Sequence, residues 1–217
     1  MGRLFLIDAA VAALLAGLWY VWFARYNHRK GTRALSWVEA ACSTRARIIE
    51  AHWIGTSRLQ ASLRFAAQWF QNAKVTIRLA PRPLPIQWVL SRCHKQPETL
   101  TFEADLDYAP GIRLEVLRHH WLTHSDRTLT ERSRGWSIVR PGPVVLTTST
   151  RWRQGLPPIV NTLMTSRGHN LLNVRFGPES PHLTATIDLE TISGEEAAAG
   201  FLGVLRELAA GVSTPQQ

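Results

Sequence analysis

The stretch "LFLIDAAVAALLAGLWYVWFARYNHRKGTR", residues 4–33, decides how the rest of the chain is interpreted. Residues 4–24 contain a single charged side chain, Asp8. As an α-helix this run extends for about 30 Å, which matches the hydrocarbon thickness of a bilayer. The stretch therefore predicts one transmembrane helix that contacts the lipid bilayer through residues 4–24.

The residues that end this run favour an anchor that stays attached to the protein. Aromatic side chains followed by basic ones are typical of the level at which a helix leaves the membrane. A secretory signal peptide instead carries its basic residues first and small residues at its cleavage site, and a buried core helix has no reason to end in this way. The residues that we assign to the membrane interface are Trp19, Tyr20, Trp22, Arg25, Arg29, Lys30 and Arg33.

Charge predicts both the orientation of the anchor and the class of partner. The chain has a net charge of +9, and residues 1–33 hold five basic residues against one acidic residue. Because so much of the excess positive charge lies beside the anchor, the rest of the chain is only mildly basic, and nucleic acid is not predicted as a partner. The basic cluster after the apolar run predicts that the C-terminal part lies in the cytoplasm. We expect a single-pass protein of a bacterial inner membrane.

After the anchor and its basic segment, residues 1–33, we expect one domain over residues 34–211 and a disordered tail over residues 212–217. Alternating or apolar runs between turn residues predict strands, whereas proline-opened and glycine-closed runs predict helices. Strands are predicted at 47–54, 57–65, 73–81, 99–107, 112–122, 144–150, 171–177 and 182–190, and helices at 35–43, 85–94, 157–169 and 193–210. The helix at 35–43 is expected to follow the membrane helix after a break near Gly31. These elements predict an α+β fold, with helices on one face of an antiparallel or mixed sheet.

A β-α-β-β order occurs in both residues 73–122 and residues 143–190. The motif "SRCH" at 91–94 ends the first predicted helix, and "SRGH" at 166–169 ends the second. Residues 35–65 would be a third, partial copy. Duplication and shared architecture without common origin both explain this pattern, so the repeat is a hypothesis.

Two groups of side chains are the candidates for a metal site. Asp105 and Asp107 share one face of a predicted strand, while His120 and His124 share a face in either a strand or a helix. A zinc site needs three or four ligands, and the sequence does not bring these four together. A hairpin between 99–107 and 112–122 would place Asp105 opposite Arg113, as on an ordinary solvated strand face. We therefore predict no metal and no cofactor.

No motif for phosphate binding, nucleotide binding or nucleophilic catalysis occurs in the chain, so no catalytic residue is assigned. An interaction surface is predicted at Arg151, Trp152 and Arg153, because tryptophan and arginine are enriched where proteins bind partners. The predicted function is a membrane-anchored binding or scaffold module for a protein partner or the membrane surface. The alternatives are a membrane-tethered metal-dependent enzyme and a lipid- or small-ligand-binding domain.

Overall fold

A computed structural model describes most of the chain. The described residues are 2–42, 46–66, 70–107, 109–110, 113–118, 136–139, 144–149 and 171–213. The elements are α1 (Gly2–Cys42), β1 (Ala46–Ile54), β2 (Arg58–Phe65), β3 (Phe70–Arg78), α2 (Pro85–Cys93), β4 (Thr99–Leu106), β5 (Leu114–Arg118), β6 (Trp136–Val139), β7 (Val144–Ser149), β8 (Leu171–Phe176), β9 (Leu183–Asp188), a 3-10 turn (Leu189–Thr191) and α3 (Glu195–Ser213). The helix predicted at 157–169 lies outside them.

The nine described strands form one sheet in the order β1-β2-β3-β4-β9-β8-β5-β7-β6. Every neighbouring pair is antiparallel. Together with the helices, this sheet confirms the predicted α+β class. The final helix continues to Ser213, two residues into the segment predicted as a tail.

The sequence predicted two hairpins, and the structure confirms one of them and contradicts the other. β1 and β2 pair around a turn in which Gly55 has a φ of 69°, a conformation that glycine adopts without strain. The predicted hairpin between 99–107 and 112–122 is wrong, because β4 pairs with β3 and β9 while β5 pairs with β7 and β8. Alternation identifies a strand but not the strand beside it. The sequence prediction also missed β6, because glycine and proline at positions 135, 141 and 143 flank this short run in the sequence.

The strands of the two candidate repeat units pair differently. In the first unit β3 and β4 are neighbours, whereas in the second β7 and β8 are separated by β5. The helix of the second unit falls outside the described residues. A true duplication therefore stays a prediction.

The hydrophobic core lies between the sheet and two helices. In β4 the side chains of Leu100, Phe102 and Ala104 are fully buried, while Thr101 and Glu103, which point to the other face, are half-buried. The second half of α1 packs against α3, and both contribute to the same core cluster. One face of the sheet is therefore covered by helices, as predicted.

The helix α1 is continuous from the apolar segment into this core. Its 41 residues extend for about 60 Å. Side chains are exposed throughout residues 6–22. After them, the buried residues of α1 recur every three or four positions along one face of the helix, at Asn27, Gly31, Ala34, Leu35, Val38 and Cys42. The break expected near Gly31 is absent. One helix thus serves as the apolar segment and as a core helix of the domain.

Close packing, rather than a helix break, explains the glycine at position 31. A Cβ atom added there would lie 2.5 Å from Cη2 of Trp53 in β1. We expect Gly31→Ala to lower the free energy of unfolding by about 1 kcal/mol, because a rigid indole must move to make room. Unfolding by denaturant in mild detergent measures this change.

The matched control is Gly203→Ala in α3, where an added Cβ has no neighbour within 4 Å. That variant should gain roughly 0.5–1 kcal/mol from the higher helix propensity of alanine. An equal gain in stability for both variants would contradict the close approach of α1 to Trp53.

Candidate membrane-exit site

The segment that follows β3 lies against α1 where the apolar run ends. The indole nitrogen Nε1 of Trp19 donates a hydrogen bond of 3.1 Å to the main-chain oxygen of Arg82. The ring centroids of Trp19 and Phe23 lie 6.1 and 6.3 Å from that of Trp88 in α2. These contacts attach α2 to the side of α1, within the aromatic end of its apolar segment.

Asn27, four residues after Phe23, is a polar side chain that is fully buried. Its amide nitrogen Nδ2 donates to the main-chain oxygens of Thr56, at 3.1 Å, and Ala80, at 2.9 Å. Its oxygen Oδ1 accepts a hydrogen bond of 3.1 Å from Nη1 of Arg82. One turn of α1 is thereby fixed to the β1–β2 turn and to the segment after β3. A buried amide with this many satisfied groups holds a single geometry.

A buried ionic cluster lies next to Asn27 and centres on Glu98, whose side chain is 8% exposed. Its carboxylate contacts Nζ of Lys30 at 2.5 Å and Nη1 of Arg82 at 2.6 Å. The main-chain nitrogen of Ala80 also donates to it, at 3.0 Å. The cluster joins α1, the segment after β3 and the start of β4.

The surroundings of Glu98 have opposing effects on its ionisation. Burial raises the pKa of the carboxyl, but the hydrogen bonds from Lys30 and Ala80 and the charges of Arg82 and Lys30 outweigh burial. The net result is a pKa below the ordinary value. Glu98 is therefore ionised at neutral pH and holds two cations against the domain.

The outward face of α2 is apolar. Ile86, Val89, Leu90 and Cys93 follow the spacing i, i+3, i+4 and i+7, which places them on one face of the helix. No residue of α2 is buried. Trp88, the residue that contacts α1, lies on the opposite side of α2. The apolar face therefore points away from the protein.

The residues predicted at the membrane interface divide into two groups. Trp22, Tyr20, Arg25, Arg29 and Arg33 are exposed on α1 beyond or near the end of the apolar run. Lys30 contacts Glu98 and Trp19 contacts the segment after β3, so both have partners inside the protein. Of the basic residues predicted at the interface, Arg25, Arg29 and Arg33 are exposed and Lys30 is half-buried.

The structure places Asp105 and Asp107 at the end of β4 farthest from Glu98. Asp107 accepts a hydrogen bond of 2.8 Å from Gln71, and Asp105 accepts one of 3.1 Å from Asn72. His120 and His124 lie outside the described residues, as does the predicted interaction surface Arg151, Trp152 and Arg153. Among the described residues, no three side chains of metal-ligating type come together.

Sequence reasoning missed the residues that join α1 to the domain. Asn27, Arg82 and Glu98 are scattered along the chain, and only folding brings them together. The apolar face of α2 did have a signal, since its i, i+3, i+4, i+7 spacing can be read directly. That spacing alone does not distinguish a face toward the core from a face toward lipid.

Within the described part of the chain, α1 is one helix long and apolar enough to cross a membrane, a test that a signal sequence also meets. In comparisons with known proteins, no family model and no curated protein matches this chain.

Proposed function

We propose that the chain is a single-pass bacterial inner-membrane protein whose cytoplasmic α+β domain is a binding or scaffold module for a protein partner or the membrane surface. The observation that carries the proposal is the unbroken α1 helix. Its exposed apolar part has the length of a membrane span, and its second half belongs to the core of the domain. A helix built in this way holds the domain at a fixed height and orientation.

The contacts at the membrane exit support an anchor that is not cleaved. Trp19 and Phe23, at the end of the apolar run, contact Trp88 and the segment after β3. Cleavage on the C-terminal side of Phe23 would remove Trp19 and Phe23 from the protein, and with them the contacts to Trp88 and to the segment after β3. The exposed Arg25, Arg29 and Arg33 support the cytoplasmic orientation, because basic residues concentrate on that side of a membrane.

Labelling of single cysteines tests the orientation. Burial, with a smaller effect from Glu39, raises the pKa of the Cys42 thiol to about 11, so it reacts little at neutral pH. With Cys93 replaced by serine, an exposed cysteine at Glu179→Cys becomes the reactive site. We expect a membrane-impermeant maleimide to label it in inverted membrane vesicles and not in intact cells. Labelling in intact cells would contradict the cytoplasmic assignment.

Truncation tests whether the domain begins inside α1. A chain that begins at Arg25 keeps Asn27 and Lys30, whereas one that begins at Ala34 loses both. We expect the shorter chain to be less stable by several kcal/mol, because each buried group left without a partner costs about 1–3 kcal/mol. Urea unfolding of both chains in mild detergent measures the difference. Equal stability would show that residues 25–33 belong only to the anchor.

A further inference from the structure

We propose that α2 is a second membrane contact of this protein: an in-plane amphipathic helix whose apolar face lies in the headgroup–acyl boundary of an anionic phospholipid bilayer. The bilayer is the one that α1 crosses, so this inference rests on the proposed anchor. The apolar face consists of Ile86, Val89, Leu90 and Cys93.

The first requirement is an apolar face that no part of the protein covers. Ile86 is 77% exposed, and Val89 and Leu90 are each 52% exposed. A helix on the surface of a soluble domain turns such a stripe toward the core. In α2 the arrangement is reversed, since Trp88 is the side chain that faces the protein. An apolar stripe that points outward is typical of helices that lie in a membrane interface.

The second requirement is the correct depth, and α1 provides the measure. Trp88 contacts Trp19 and Phe23, whereas the apolar run ends at Ala24. Along the helix, Trp19 lies about 7.5 Å before Ala24, and Phe23 lies about 1.5 Å before it. Amphipathic helices that lie on a bilayer bury their apolar face roughly 5–10 Å into the headgroup–acyl boundary. Trp88 therefore lies between about 1.5 and 7.5 Å inside the end of the apolar run, a range that overlaps this depth.

The third requirement is that α2 be held at this depth. The hydrogen bond from Trp19 to the main-chain oxygen of Arg82 fixes the segment that leads into α2. The Arg82 side chain points in the other direction, to Asn27 and Glu98. The same residue thus joins the anchor, the buried cluster and the start of α2.

The fourth requirement is charge that suits the lipid. Lys95 is exposed just after the C-terminal end of α2, and Arg25 and Arg29 are exposed on the neighbouring turns of α1. Arg92 is also exposed, but its guanidinium lies over the Trp88 ring, 5.9 Å from the ring centroid. Basic side chains next to an apolar face are attracted to anionic headgroups. A protein partner in the cytoplasm would have to reach past these headgroups to cover Ile86.

Depth-dependent fluorescence quenching tests the proposal in the full-length protein. An environment-sensitive fluorophore is attached to one cysteine at a time, in vesicles of phosphatidylglycerol and phosphatidylcholine that carry nitroxide lipids. Cys93 is replaced by alanine, which keeps the face of α2 apolar. The test position is Ile86→Cys. Leu14→Cys, in the middle of the apolar run, reports on the anchor. Glu179→Cys is the aqueous control. Glu179 lies in the turn between β8 and β9, and the start of β9 pairs with the end of β4 that is farther from Glu98 and the membrane exit.

We expect the fluorophore at position 86 to be quenched most by nitroxides near the headgroups, at a depth of roughly 5–10 Å. The fluorophore at position 14 should be quenched most by nitroxides near the bilayer centre, and the one at position 179 should not be quenched. If position 14 is quenched and positions 86 and 179 are both unquenched, the α2 proposal is overturned while the anchor stands. If position 14 is not quenched, the anchor fails, and the α2 proposal fails with it. Equal quenching at positions 86 and 179 also overturns the α2 proposal, because the whole domain would then lie on the lipid.

Discussion

Replacing Glu98 by glutamine is expected to lower the free energy of unfolding by about 3 kcal/mol at neutral pH, because breaking a buried ion pair leaves charge without compensation. Lys30 and Arg82 would then lie in a half-buried site without their shared anion. The matched control is Glu179→Gln, since Glu179 is exposed in a turn. That control should change stability by less than about 0.5 kcal/mol. Urea unfolding in mild detergent measures both variants.

The same variant has a distinct pH profile. Because the folded protein holds the pKa of Glu98 below its ordinary value of 4.5, the contribution of this carboxylate to stability is fully present above about that pH. It is lost as the pH falls through the lower folded pKa. The native protein should therefore lose stability in this acid range, and Glu98→Gln should lose less. Parallel pH profiles for the two proteins would contradict the role assigned to the cluster.

Replacing Thr32 by proline is expected to cost about 3 kcal/mol or more, because proline removes a helical hydrogen bond and clashes with the preceding turn. Thr32 is exposed, and its hydroxyl contacts only the main-chain oxygens of His28 and Arg29 in the same helix. The change therefore acts on the backbone of α1 and on little else.

Thr32→Ala is the matched control and should stay within about 0.5 kcal/mol of the native protein, as is usual for exposed positions. Thermal unfolding followed by circular dichroism compares the two variants. If proline and alanine at this position gave the same stability, α1 would not be a continuous helix between the apolar segment and the core.

The fold was predictable from the sequence where the signal was local. The hairpin around Gly55 follows from turn chemistry, and α2 follows from its proline at the first helical position. The insertion of β5 between β7 and β8 was not predictable, because pairing between strands distant in sequence depends on the tertiary fold.

The membrane-exit site also combines features that local sequence predicts with features that depend on the tertiary fold. The apolar run and its aromatic end predict where a helix leaves a bilayer, and the structure has exposed aromatic and basic side chains there. The role of Asn27 could not be predicted, because an asparagine among basic residues is normally exposed to solvent. Only the segments that carry Thr56 and Ala80, brought together by folding, provide the carbonyl oxygens that allow this amide to be buried.

In the proposed function, one unbroken helix, α1, carries the domain from the bilayer. A distance measurement by electron paramagnetic resonance between spin labels at Leu15→Cys and Arg33→Cys tests it most directly, in lipid nanodiscs and with Cys93 replaced by serine. Both positions are exposed and lie five helical turns apart on the same face, so their separation along a continuous helix is about 27 Å. We predict a single narrow distance distribution close to this value. A broad distribution, or a clearly shorter mean distance, would contradict the continuous helix and with it the fixed placement of the domain.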